Sequence, residues 1–524
     1  MNKLPGELRA ELETIFGKQG LLDDAASLVL FAQDIFCRDI PAGLVIRPQT
    51  PGQLAAGVRC LTRAGRAVIA RGGGMSYTRA YVPSEAGSVM VDTSSLNEIL
   101  EINRQDMYVR VEAGCTWKAL HEALRPLGLR TPFWGPLSGI HATVGGSVSQ
   151  SSVYWGAGLF GASADSVISL EVVLADGSIL NTGSAAQQNG APFFRHFGPD
   201  LTGIFCCDCG ALGIKTSVTL RLLPEFEAVE HVSFDFVECP AQLTAMSQIA
   251  RENLVAQMFG TDPTLNSVRA QRDSIMNDLK ALGNVLRQAD SAGDAIGKAG
   301  RMALHGRSAV QDSNYPIHAT VEERSKAAAR AAVARVAEIC LRHGGKRIDN
   351  SVPTLLRASP FNPLNNIVGP QGERWAPIHA LLPHSRVLDC VSRVQALYHE
   401  QRVRIEQFEV QCGFLFTTVS TNCFFIEPLF FWPDELNELH RNTVQESVLR
   451  RQQGFAANPE ARRFIDTLRQ RLALLFSEMG AAHLQIGKEY HYRQALRAPA
   501  RTLIENIKHL VDPERRINPG ALGL

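Results

Sequence analysis

At 524 residues the chain is too long for one ordinary core, and two or three domains are expected. Its 53 Lys+Arg nearly cancel its 52 Asp+Glu, which leaves none of the basic surplus that marks a nucleic-acid binder. Hydrophobic residues make up 45% and charged residues 20%, the balance of a globular domain, and no stretch approaches the roughly 18 uninterrupted apolar residues of a spanning helix.

The opening MNKLPGELRAELETIFGKQG has no apolar centre of the secretory kind, so a cytoplasmic protein with reduced thiols is expected. Cys206, Cys207 and Cys209 lie close together but lack the CxxC spacing of zinc or iron–sulfur ligands, so no metal site is expected. Leu44-Val45-Ile46 reads as a strand. A helix over 51–64 follows, capped by Thr50 and opened by Pro51. Val68-Ile69-Ala70 is the next strand, and Arg71 to Tyr81, RGGGMSYTRAY, follows directly. Strands at 88–92 and 108–112, a helix at 116–126, a hairpin turning at Asp176-Gly177 and a strand at 215–223 complete an α+β pattern. Beyond 229 the pattern changes: 262–302 and 321–343 are alanine-rich and charged at helical period. Then 376–382 (strand), 387–401 (helix), 405–419 (strand) and 423–431 (strand) form a β-α-β-β unit. A helix at 459–479 and a strand-like run at 483–486 lead to the terminal VDPERRINPGAL.

Three consecutive glycines remove every Cβ, so the backbone can take positive φ or approach another group closely. Successive free N–H groups in such a turn make a concave anion site, and phosphate is the natural guest. Three more glycine-rich stretches follow, at 135–150, 154–177 and 198–224. A nicotinamide-binding unit would show a single GxGxxG opening a helix. Several separate glycine turns point instead to an elongated ligand threaded past many backbone segments.

The order of these stretches resembles the FAD-binding domain of the vanillyl-alcohol oxidase / para-cresol methylhydroxylase superfamily, and DPERRINPGAL resembles that family's terminal segment. The resemblance implies an FAD domain over 1–228, an α+β substrate cap with a partly antiparallel sheet over 229–480, and a segment over 481–524 that returns to the flavin. It implies that Arg71, Gly72, Gly73, Gly74, Met75, Ser76 and Tyr77 hold the pyrophosphate region. Ser138, Gly139, Thr143, Gly145 and Gly146 would line the flavin and diphosphate. Gly210, Gly213 and Ile214 match the motif before the domain's last strand, and Asn518 the terminal asparagine beside the ring. Non-covalent FAD is expected, because Met75 stands where some relatives link through histidine. A covalent link through His141 or Cys423 stays open.

A flavin accepts hydride while the protein removes a hydroxyl proton. The expected reaction is oxidation of an alcohol, hydroxy acid or phenolic side chain, with electrons passed to O2 or an acceptor protein. A vanillyl-alcohol-type phenol oxidase and a non-catalytic flavin-bearing subunit are the alternatives, and homo-oligomerisation is left open. Gly480-Ala481 and Ala162 stand where the phenol branch carries its Tyr-Arg pair and aspartate, and the metal-binding segment of many hydroxy-acid enzymes is missing. The remaining candidates for acid–base work are Glu427, His483, His379 and Tyr490, with Glu409 and Gln411 on the same expected strand of the cap. Glu427 stands out because it sits among phenylalanines, where an idle carboxylate is costly. Arg357 and Arg374 flank a proline-containing loop and are candidates for clamping a substrate carboxylate.

Overall fold

A computed structural model describes residues 5–271 and 313–524. The first sheet has four strands in the order Leu21–Leu22, Leu44–Ile46, Val89–Asp92, Val68–Arg71, the last three mutually parallel. Thr50 caps the helix Pro51–Arg63 by accepting the Gln53 N–H at 3.2 Å, and buried Leu54, Val58 and Leu61 form its inner face. A second, antiparallel sheet runs Ile99–Asn103, Tyr108–Glu112, Ile214–Arg221, Val167–Val173, Ile179–Asn181. Val173 and Ile214 of this sheet pack in one core with Ile46 of the first and with Leu54 and Val58 of the helix Pro51–Arg63, which ties the two sheets together. The glycine turn leaves the end of Val68–Arg71 at their junction.

The remaining large sheet has eight strands. Its path runs Lys346–Arg347, Ala228–Phe236, Tyr315–Glu323, Gln257–Thr261, Gln411–Val419, Cys423–Trp432, Arg374–Pro377, and Ala380–Leu382 also pairs with Cys423–Trp432. Each of its pairings is antiparallel. The sequence reading captured only the half from 376 to 431. Tyr315–Glu323 was hidden because it is buried on both faces yet carries His318 and Glu322. Those polar groups are matched only by distant segments: His318 Nδ1 meets Ser233 Oγ at 2.9 Å, and Glu322 pairs with Arg130 at 2.7 Å.

Several expected boundaries move. The helix read over 321–343 is Lys326–Arg342, capped by Ser325, because 321–323 belong to a strand. The helix read over 262–302 is seen as Pro263–Ala270, and 272–302 lie outside the described residues. Arg402–Gln407 is helical, and Glu409 at φ +52° turns the chain before Gln411–Val419, so Glu409 is not on the strand. The strand read over 376–382 breaks at Ile378-His379. Residues 483–486 form no strand: Ala482 makes one bridge to Leu381, and Gln485 takes φ +45°.

Candidate active site

The glycine turn is shaped by close approach more than by unusual dihedrals. Gly74 alone of the three has positive φ, at +74°. A Cβ on Gly73 would run into the carbonyl of His141, and one on Gly72 into the side chain of Thr143. The first two glycine stretches therefore touch backbone to backbone. Tyr81 Oη donates to the Gly74 carbonyl at 2.7 Å. The Arg71 guanidinium stacks beneath the turn, 4.7 Å from the Phe31 ring. With the turn so fixed, the backbone N–H groups of Gly72 through Ser76 donate to no protein acceptor among the described residues. Gly74 and Ser76 are buried and the other three half-buried, and a row of such unengaged N–H groups is an anion cradle.

These groups open into a cavity of about 320 Å³ between the two small sheets and the cap sheet. Gly72, Gly73, Gly74, Met75, Ser76, Tyr77, Ser138, Thr143, Gly145, Gly146, Gly210, Gly213, Ile214 and Glu427 all line it. Thr143 caps the helix Val144–Gln150, accepting the Gly146 N–H at 3.1 Å, and Gly145 lies so close to Ala113 that no Cβ fits between them. The residues thus fit an elongated ligand with a central anionic group.

At the cap end the lining carries chemistry. Glu427, on Cys423–Trp432, is 8% exposed and accepts from Tyr77 Oη at 3.0 Å. Gln485 Nε2 in turn donates to Tyr77 Oη at 3.1 Å. Burial pushes the Glu427 carboxyl up to about 7, against the opposing pull of the Tyr77 hydroxyl and the Arg269 charge. Arg269, from the helix Pro263–Ala270, lines the same cavity and makes no hydrogen bond or ion pair among the described residues. Burial lowers its pKa. The third charged lining residue, Lys215, is engaged by Asp208 at 2.7 Å. Among the described residues, Glu427 and Arg269 are therefore the two lining charges left for a ligand.

The other expected site residues lie elsewhere. His379, His483 and Tyr490 form a knot behind the cavity wall rather than on it. His379 Nε2 donates to the Leu484 carbonyl at 2.7 Å, while Tyr490 Oη and His483 Nδ1 both donate to the His379 carbonyl, at 2.9 and 3.0 Å. Burial lowers the pKa of His379 to about 3 and of His483 to about 4, so the buried His379 and the half-buried His483 are held neutral with backbone carbonyls as partners. Arg357 is engaged by Glu322 at 2.8 Å and lies over the Trp134 ring. Arg374 donates to the carbonyls of Ile35 and Phe36. Neither arginine reaches the cavity. Gly139 packs against Phe361, outside the lining. Asn518 ties Ala80 to Cys209, donating to both carbonyls at 2.8 Å, without reaching the cavity. The side chains of His141 and Cys423 do not line it either.

Sequence reading missed Arg269, Gln485 and Trp375, and put Tyr77 with the phosphates. Arg269 was absorbed into the long charged stretch read at helical period over 262–302. The short run AQMFGT followed by Asp262-Pro263, a strand leading into a capped helix, was the available signal.

The FAD binding domain family matches residues 42–183. The chain carries an FAD-binding domain of the PCMH type. FAD is its cofactor. Similar curated proteins include the mitochondrial D-lactate dehydrogenase [cytochrome] 1 of Saccharomyces cerevisiae, 27% identical over 38% of this chain and 34% of that protein. The glycolate oxidase subunit GlcD of Bacillus subtilis is 27% identical over 49% of this chain and 54% of its own length. The D-lactate dehydrogenase of Archaeoglobus fulgidus is 28% identical over 40% and 45%. The chain thus spans a third to about half of these relatives' lengths. Among solved structures, p-cresol methylhydroxylase with substrate bound superposes at TM-score 0.75 and 16% identity over 100% of this chain and 98% of that one. An alkyldihydroxyacetonephosphate synthase superposes at TM-score 0.70 and 16% identity over 99% and 86%. The described residues therefore share the fold of these structures, an FAD domain with an antiparallel cap. No helix of the described residues is long and apolar enough to cross a membrane.

Proposed function

We propose that the protein is an FAD-dependent oxidoreductase that oxidises a small hydroxy acid to the corresponding oxo acid, its electrons passing to O2 or an acceptor protein. The observation that supports this reading is that Glu427 and Arg269 line the same cavity as a row of N–H groups from Gly72 to Ser76 that no described residue accepts from. In this reading residues 1–228 hold the FAD, 229–480 form the cap and 481–524 return to the flavin domain. The N–H groups from Gly72 to Ser76 take the pyrophosphate, and the backbone around Gly145, Gly146 and Gly213 lies along the rest. Bound FAD supplies a two-electron acceptor for the hydride that leaves the hydroxyl-bearing carbon.

The chain's own residues do the remainder. Arg269 takes the substrate carboxylate with donors that no described residue engages, which sets the hydroxyl toward Glu427. The Glu427 carboxylate accepts the hydroxyl proton as the carbon–oxygen bond becomes a carbonyl, and the Tyr77 hydroxyl, held by Gln485, fixes the carboxylate's orientation. The hydroxy-acid relatives agree with a carboxylate partner for Arg269. The test is anaerobic mixing of the FAD-loaded protein with a panel of hydroxy acids, neutral alcohols and alkylphenols. Bleaching of the flavin band by hydroxy acids is expected, and its loss in Arg269→Met is the second arm. Bleaching by alkylphenols alone would move the assignment to the phenol oxidisers, and no bleaching by any of them would leave a flavin-bearing subunit.

A further inference from the structure

The cap face beside Glu427 says what kind of hydroxy acid would fit, an inference that rests on the reading above. In Cys423–Trp432 side chains two apart share a face, so Glu427 is followed on its own face by Leu429 and then Phe431. At about 3.3 Å per residue that apolar row extends roughly 13 Å beyond the carboxyl. The neighbouring strands continue it. Leu415 stands directly opposite Glu427, and Trp375 directly opposite Phe431. Leu265, Leu429 and Phe431 form one buried cluster to which Leu415 and Trp375 are packed. Trp375 also packs against the cluster containing Tyr77 and Ile367, with its ring 5.8 Å from that of Tyr77. A continuous apolar wall therefore starts at the proton acceptor and runs away from it, and all these side chains line the cavity.

The wall offers little to a polar substituent. Thr417, which also lines it, already donates to the Met258 carbonyl at 2.6 Å. A methyl group, as in lactate, or a hydrogen, as in glycolate, would leave most of this surface uncovered.

We propose that the site takes hydroxy acids whose side chain is aromatic or a branched alkyl group of about four carbons or more, with the carboxylate on Arg269, the hydroxyl on Glu427 and the side chain along Leu429, Trp375 and Phe431. Each methylene moved from water onto such a wall is worth roughly a three- to fourfold gain.

The experiment uses the full FAD-loaded protein and compares glycolate, lactate, hydroxyisocaproate and phenyllactate, both enantiomers of each chiral acid, as reductants of the flavin without oxygen. Phenyllactate or hydroxyisocaproate should exceed lactate in kcat/KM by about 10- to 100-fold. Leu429→Ser should shrink that ratio. Phenylpyruvate should perturb the flavin spectrum at a concentration at least tenfold below pyruvate. Equal or faster reduction by lactate or glycolate overturns the proposal while leaving the hydroxy-acid reading in place. If no hydroxy acid reduces the flavin, that reading fails; tighter binding of phenylpyruvate than of pyruvate would then still support the apolar pocket, and equal binding would overturn it as well.

Discussion

A carboxyl that titrates near neutrality is a useful base and a poor contributor to stability, and Glu427 is expected to show both. It stays protonated below about pH 7 because burial disfavours its charge, so flavin reduction by substrate should rise with pH through that value. Glu427→Gln should slow reduction by about 10²–10⁴-fold and remove the rise, as measured by stopped-flow absorbance. Stability should respond in the opposite sense. The folded pKa lies above the ordinary 4.5, so the folded state holds this proton more tightly. Its contribution is intact below about pH 4.5 and is lost as the pH rises to about 7. The apoprotein of Glu427→Gln should therefore be more stable than the parent at pH 8, by up to about 3 kcal/mol, and equal to it near pH 4. Urea titrations at the two pH values decide this. His483 gives the contrast. It is stacked on Tyr490 with ring centres 3.8 Å apart and bonded to the His379 carbonyl, away from the cavity. His483→Ala should lower stability by about 1–3 kcal/mol, seen as an earlier urea midpoint, and leave flavin reduction within about threefold of the parent.

At the scale of the element, the glycine turn separates two reasons for glycine. Gly73 has ordinary φ but no room, since a Cβ would overlap the His141 carbonyl of the second glycine stretch. Gly210 has room but an unusual conformation, at φ +68° with nothing near its missing Cβ. Gly73→Ala should thus push the two stretches apart and abolish FAD retention. Gly210→Ala should cost only about 1–2 kcal/mol in backbone strain and keep the cofactor. Flavin absorbance relative to protein after gel filtration reads out both, and FAD bound normally by Gly73→Ala would show that the close approach is dispensable.

Across the whole molecule, the C-terminal segment joins parts of the flavin domain far apart in sequence. Ile517 bridges to Val68, the Asn518 amide spans Ala80 and Cys209, and the buried Lys508 ammonium donates to Ala211, Asp512 and Ile517. Asn518 holds its place at φ +42°, which asparagine tolerates better than most residues. Asn518→Ala leaves the Ala80 and Cys209 carbonyls without their donor. It should cost about 1–3 kcal/mol of stability and weaken FAD retention, although the side chain does not line the cavity. Thermal unfolding with and without added FAD measures both effects; an unchanged FAD-induced shift would show that the tether is purely structural.

The sequence by itself determined the parts whose signal is local. Glycine runs, Thr50-Pro51 and Asp176-Gly177 each announce their backbone through their own side chains or the lack of them, and the ordered glycine stretches marked a cradle for an elongated, anionic ligand. Glu427 was legible for a similar reason, as one carboxylate in a run of phenylalanines. Only the tertiary structure decided which other side chains share its cavity. His379, His483 and Tyr490 are near it in sequence logic but turn to backbone carbonyls, because the chain breaks at Ile378-His379 and at Gln485. Arg357 and Arg374 found partners in Glu322 and in the carbonyls of Ile35 and Phe36, whereas Arg269 lines the cavity without a hydrogen-bond or ion-pair partner among the described residues. Whether an arginine is engaged or available depends on acceptors brought from tens to hundreds of residues away, and that pairing is written in the packing of the sheets rather than in any one stretch of the chain.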